Sequence, residues 1–175
     1  FPRLFLIRAL ENSDRRYNDG KTLTPYFLLA ALLWEPLQVA VEKRIGSGEN
    51  ETLAYQNAAN EVLARQIKIT AMPRHITQSM RDVWFMQPKF SRTVGTRPYR
   101  LLEQPKFRAA YDFFQLRAET GGADPQLVEW WAQFQEADEE LRKQMTTPGK
   151  TGGGKPRNRK SGRYRSRTKP VATSQ

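Results

Sequence analysis

No cysteine occurs in the 175 residues, and histidine occurs once, at position 75. The first absence excludes a disulfide framework, a zinc knuckle and a cysteine nucleophile; the second excludes a multi-histidine metal site. Long apolar runs are missing too. The longest, Tyr26 to Trp34, stops at Glu35-Pro36. That is well short of the ~20 residues a membrane-spanning helix needs, so no membrane insertion is expected. No charged-then-apolar secretory leader opens the sequence. The chain begins at Phe1 rather than Met, which reads as a piece of something longer. Its length fits one domain with room for a tail.

Acidic residues are scarce relative to basic ones: 29 Lys+Arg face 18 Asp+Glu, a formal net charge of +11. The surplus is unevenly placed. Residues 148–175 hold nine bases and no acid: Lys150, Lys155, Arg157, Arg159, Lys160, Arg163, Arg165, Arg167 and Lys169. Without them, residues 1–147 carry 20 bases against 18 acids. Inside that body, Arg65 to Arg108 contains ten bases and only two acids, Asp82 and Glu103, whereas Glu119 to Glu140 contains seven acids and no base. Residues 148–175 have almost no apolar side chains. They cannot bury enough surface to offset a backbone ordering cost of about 1–2 kcal/mol per residue, so a disordered tail is expected there.

Residues 1–147 read as helices throughout, with no alternating strand and no internal repeat. Leu4, Ile7, Arg8 and Leu10 give an amphipathic stretch ending near Asn18-Asp19-Gly20. Thr24-Pro25 places a capping residue before a proline whose missing N–H costs nothing at a first helical position. That helix is expected to run on past a kink at Pro36 to Ile45. A third follows over about 51–70, with Leu53, Asn57, Ala58, Val62, Leu63 and Ile67 near the 3.6 period. Pro73 opens a fourth, with Ile76, Met80, Val83, Trp84 and Gln87 on one face. Lys89–Pro98 reads as a loop. A short turn over 99–104, a helix over 106–119 and a last helix from Pro125 to about Met145 complete the pattern. The fold class is all-α, an irregular array of six or seven helices with short connections that favour antiparallel neighbours.

No enzyme active site is visible in these residues. Gly149, Gly154 and Lys155 match the spacing of a phosphate-binding loop, but Pro156 stands where a Ser/Thr hydroxyl should be, and neither a strand nor a helix flanks it. Glu49/Glu51 and Glu136/Asp138 are the nearest approach to paired metal carboxylates. The first pair lies in a turn, and two residues apart on a helix point to different faces. Both read as solvated surface. His75 reads as an exposed residue or a nucleic-acid contact. No catalytic residue and no metal ligand is assigned.

The basic zone is more informative. Arg74, Arg81, Lys89, Arg92, Arg97, Arg100, Lys106 and Arg108 are interleaved with Trp84, Phe85, Phe90 and Tyr99. Such clusters neutralise phosphates, and unpaired bases stack on aromatic faces. The alternative is that Trp84 and Tyr99 are core and the arginines a solvated face. The excess of charge favours nucleic acid, with Lys155, Arg157, Arg159, Lys160, Arg163 and Arg165 of the tail as further contacts. Phe107, Tyr111 and Phe114 recur at helical spacing and read as core; of the adjacent Trp130 and Trp131, at least one should be buried. The acidic stretch 119–140 is either solvated or a dock for the chain's own basic zone.

The run from Leu101 through Gln104-Pro105-Lys106-Phe107-Arg108-Ala109-Ala110-Tyr111-Asp112-Phe113 to Leu116-Arg117-Ala118-Glu119 resembles the C-terminal part of the bacterial poly(A) polymerase I family, polynucleotide adenylyltransferases similar to CCA-adding enzymes. Pro25, Phe27 to Trp34, Arg81-Asp82-Val83-Trp84 and Trp130-Trp131 with Phe134-Gln135 carry the same likeness over residues 1–147; the tail matches in composition only. The resemblance implies a helical half of an enzyme that adds adenylates to RNA 3′ ends from ATP without a template, promoting RNA decay in the cytoplasm. It implies a nucleotidyltransferase head, upstream of Phe1, that holds magnesium and ATP. The only Gly-Ser pair here, Gly46-Ser47, has no strand with spaced aspartates after it, so this fragment is expected to be inactive alone and to hold no cofactor. The implied partners are RNA 3′ ends, and RNA-decay proteins or an RNA chaperone. The rival reading is a structural or protein-interaction domain whose basic tail recruits partners.

Overall fold

Proline and short capping side chains decide where most of the helices start. In a computed structural model, which describes residues 2–20 and 24–149, the order is α1 (Pro2–Asn18), α2 (Pro25–Leu32), α3 (Trp34–Gly46), α4 (Glu51–Ile69), α5 (Arg74–Met86), a 3-10 helix (Gln87–Ser91), α6 (Arg97–Leu102), α7 (Phe107–Glu119), α8 (Pro125–Glu136) and α9 (Glu139–Thr146). The all-α expectation holds among the described residues. The side chains of Asn50, Asp124 and Asp138 accept from Leu53 N, Gln126 N and Leu141 N, capping α4, α8 and α9. The expectation of a disordered tail, and Lys155, Arg157, Arg159, Lys160, Arg163 and Arg165 with it, lies outside the described residues. Among the described residues no helix is long and apolar enough to cross a membrane.

Among the described residues the seven expected helices become nine α-helices, because two of them are each split. The expected kink at Pro36 is instead a break at Leu33 (φ −95°, ψ 7°). Pro36 has no N–H to return to Leu32 and its ring crowds that carbonyl; restarting the helix at Trp34 puts Pro36 in a first turn, where neither matters. The last helix breaks at Ala137 (φ −68°, ψ 144°). Arg142 fastens the break: its Nε and one terminal nitrogen each donate, at 2.9 Å, to the carbonyls of Phe134 and Gln135. The expected loop over 89–98 is partly helical, and Gly95 donates its N–H to the Thr146 carbonyl at 3.0 Å, tying the segment to the end of α9.

Two apolar clusters form among the described residues, and α7 contributes to both. Phe113 faces α1–α3, meeting Phe5, Phe27 and Trp34 edge-on at centroid distances of 5.2, 5.6 and 5.3 Å. Phe107, Tyr111 and Phe114 face the 3-10 helix and α8, where Phe90 stacks on Phe114 at 4.6 Å. Trp84 donates Nε1–H to the Ala30 carbonyl at 3.1 Å, and Trp131 to that of Phe90 at 2.8 Å. Buried Gln87 ties α5 to α7: its amide nitrogen donates to Val83 and Ala110, and its oxygen accepts from Arg117. Burial pulls the Arg117 guanidinium below the usual arginine range, while it lies over the Trp34 ring at 4.7 Å.

The apolar face expected for α1 is turned outward. Leu4, Ile7 and Leu10 are 40%, 50% and 48% exposed, and Phe5 and Ala9 are buried in their place, because contact with Phe113 selects that side. On α4, Leu53 and Ile67 are also exposed; the helix packs on α3 and α5 and buries Ala54, Tyr55, Ala58, Ala59, Val62 and Leu63.

A charged fork closes the α3–α4 hairpin. Arg44 donates to Glu49 at 3.0 Å and to Glu61 at 2.9 Å, and Arg65 also pairs with Glu61. The hydrogen bond from Arg44 first, and then the charge of Arg65, hold the Glu61 carboxyl below its ordinary value. A lowered folded-state pKa gives stability that is present above the unfolded glutamate value, about 4.3, and lost as pH falls through the folded value. Glu61→Gln should therefore melt below the wild type at neutral pH. The gap should close as the pH is taken below about 4, which thermal melts across that range would check.

Candidate nucleic-acid interface

Six of the eight basic residues singled out between 74 and 108 are brought onto one continuous track. Lys89 comes from the 3-10 helix, Arg92 from just beyond it, and Arg97 and Arg100 from α6, one turn apart. These four surround a hollow of about 300 Å³, closed by Leu101 and Gln104. Lys89 and Gln104 also line a second hollow of about 230 Å³, with Asp82, Phe85, Met86, Pro105 and Lys106. Pro105 and Lys106 then enter a third, of about 330 Å³, bounded by Arg108, Ala109 and Asp112 of α7 and by Asn12, Ser13, Thr24, Tyr26 and Phe27. Shared lining residues place the three hollows side by side. The first turn of α7 holds no acid, so its dipole adds to the positive potential around Lys106 and Arg108.

The charges on this track differ in how they are compensated. Arg92 pairs with Glu51 at 2.9 Å and Arg108 with Asp112 at 3.3 Å. Lys89, Arg97 and Arg100 are exposed and have no carboxylate partner among the described residues. Arg74 and Arg81 lie off the track, seven residues apart on one side of α5, where Arg81 donates to the Asn60 side chain at 3.1 Å. His75 is exposed at the start of the same helix.

The aromatic half of the sequence reading needs correction. Trp84 and Phe90 are wholly buried and cannot stack on a base; their periodicity with Met80, Val83 and Met86 places them in the core. Tyr99 is half-buried with its edge against Phe134 at 5.3 Å, and Phe85 is half-buried in the second hollow. Tyr26 was missed. It lies more than 60 residues before Lys89 in the chain, and only the Thr24-Pro25 cap, which starts α2 at the third hollow, signals its placement.

The acidic stretch 119–140 is engaged locally. Asp124 and Asp138 cap helices, Glu129 accepts from Gln133 at 3.0 Å, and Glu139 pairs with Lys143 at 3.2 Å. Among the described residues no ion pair joins it to the basic zone. The residues present also do not fit magnesium. Glu49 is held by Arg44 and Asn57, Glu51 by Arg92, and Asp138 by its cap, and among the described residues no group of three His, Asp or Glu side chains converges. What the arrangement can do is bind a row of negative charges.

Residues 47–168, from the end of α3 through the whole track and into the basic tail, match the family described as polymerase A arginine-rich C-terminus. The chain belongs to that family. It is 39% identical over 148 residues to poly(A) polymerase I of Haemophilus influenzae, covering 83% of this chain and 32% of that protein. It is 41% identical over 131 residues to the Escherichia coli O157:H7 poly(A) polymerase I, covering 73% and 28%, and 37% identical over 136 residues to that of Salmonella typhi, covering 74% and 29%. The chain thus spans about a third or less of the length of these relatives, and its likeness is to the C-terminal portion of poly(A) polymerase I.

Proposed function

We propose that this chain holds the RNA strand for a cytoplasmic poly(A) polymerase, one that adds adenylates to RNA 3′ ends from ATP without a template and so marks RNA for decay. In this reading the transfer chemistry, with its magnesium and ATP, belongs to parts of the enzyme outside these residues, and the chain alone extends no RNA. The observation that carries the reading is the track, on which Lys89, Arg97, Arg100 and Lys106, none with a carboxylate partner among the described residues, share a groove with the ion-paired Arg92 and Arg108. A strand that advances one nucleotide per cycle needs a grip indifferent to sequence, and phosphate contacts provide one. The tail, with Lys155, Arg157, Arg159, Lys160, Arg163 and Arg165, supplies further charge for the same strand or for RNA-decay proteins or an RNA chaperone. Binding of single-stranded RNA in dilute buffer, weakening steeply as salt is added, is the expected result. Salt-independent binding or none would leave a structural brace as the role of these helices.

A further inference from the structure

We infer that the third hollow is a base-stacking subsite, in which the Tyr26 ring receives an unpaired nucleobase of the RNA and Lys106 is the side chain that yields to it. This rests on the reading of the track as an RNA groove and adds to it a place for a base.

Tyr26 is partly buried against the α1–α5 core, so its ring is held in place, and the Lys106 ammonium lies over it, 4.6 Å from the ring centroid. Lys106 also borders the second hollow, so the same flexible side chain reaches both the ring and the groove where phosphates would run. A partly exposed cation–π contact is worth less than stacking a base on an aromatic ring or than a charge-assisted bond to phosphate. An arriving nucleotide therefore exchanges one weak contact for two stronger ones: Lys106 turns to the phosphate and the base takes its place on Tyr26. A hollow of about 330 Å³ lies within the range of small-molecule clefts. The rim suits a base edge, since neither the Asn12 amide nor the Thr24 hydroxyl has a hydrogen-bond partner among the described residues. Trp84 and Phe90, interleaved with the cations in sequence, are enclosed in the core and offer no such face.

The test uses the 175-residue chain with two strands of equal length, oligo(A) and an abasic sugar-phosphate strand. Tyr26→Leu keeps the bulk and loses the ring face; Tyr26→Phe keeps both. Tyr26→Leu should bind oligo(A) about 5- to 150-fold more weakly while binding the abasic strand as the wild type does, and Tyr26→Phe should match the wild type on both. Photocrosslinking of oligo(A) to the unaltered chain should place an adduct on Tyr26, a readout that does not depend on any variant folding. No loss on oligo(A), an equal loss on both strands, or adducts only elsewhere would overturn the subsite and leave the electrostatic grip standing. Failure of the wild type to bind even the abasic strand in dilute buffer would overturn the reading on which the subsite rests.

Discussion

Changing Lys89, Arg97 and Arg100 together to glutamine lowers the affinity for single-stranded RNA about a hundredfold at about 0.1 M salt. The size follows from counterion release, in which each phosphate contact contributes about 0.7 to the slope of log affinity against log salt. At that concentration one contact is worth roughly fivefold, and three multiply to about a hundred. The fold should not notice the change, because the three side chains are exposed and have no carboxylate partner among the described residues. Filter binding at fixed salt, with a thermal melt of the same sample, checks both halves of the statement. Arg92→Gln is a weaker probe, since it also releases Glu51 from its ion pair. Arg81→Gln, off the track and hydrogen-bonded to Asn60, should change affinity much less.

The largest loss of stability is expected at Trp131. It is wholly buried between Phe90, Phe107, Trp130 and Phe134, and its Nε1–H is the donor to the Phe90 carbonyl that anchors the 3-10 helix to α8. Trp131→Ala leaves a cavity and an unmatched carbonyl, costing about 3–5 kcal/mol of a total that for ordinary domains is about 5–15. Trp131→Phe keeps most of the volume and loses the bond, so it should cost about 1–3 kcal/mol. Denaturant unfolding would separate the two. The same anchor positions the segment that carries Lys89, so the alanine variant should also lose RNA affinity at temperatures where it is still mostly folded.

Much of the architecture was legible because it depends on local chemistry. Pro25 and Pro125 at the starts of α2 and α8, the Asp124 cap, and the Phe107–Tyr111–Phe114 spacing all act within a few residues, and each appears where the pattern puts it. The errors fall where tertiary contact chooses between local options. Leu4, Ile7 and Leu10 form a plausible apolar face, yet Phe5 is buried instead because Phe113 lies on its side of α1. The break at Leu33 is a different, local case: a proline disturbs the turn before itself, so the helix restarts at Trp34 and Pro36 falls in its first turn.

The site divides in the same way. Charge density along the chain exposed the basic zone, since a surplus of cations over 44 residues is visible without a fold. It could not separate Lys89, Arg97 and Arg100 from Arg74 and Arg81, because that division depends on how α5 and α6 lie. Aromatic residues interleaved with arginines looked like stacking platforms, and burial removes Trp84 and Phe90 from that role. Tyr26 enters the groove only through the packing of α2 beside α7, a contact between residues some 80 positions apart.

Titrating the wild-type chain with single-stranded RNA over a series of salt concentrations tests the central claim most directly. Lys89, Arg97 and Arg100, exposed and without a carboxylate partner among the described residues, set a log–log slope of at least about −2, and engagement of all six cations on the track would bring it to about −4. A slope in that range, moving toward zero by about 2 in the triple glutamine variant, is the predicted result. A flat line, or a steep one that the triple variant leaves unchanged, would contradict the account.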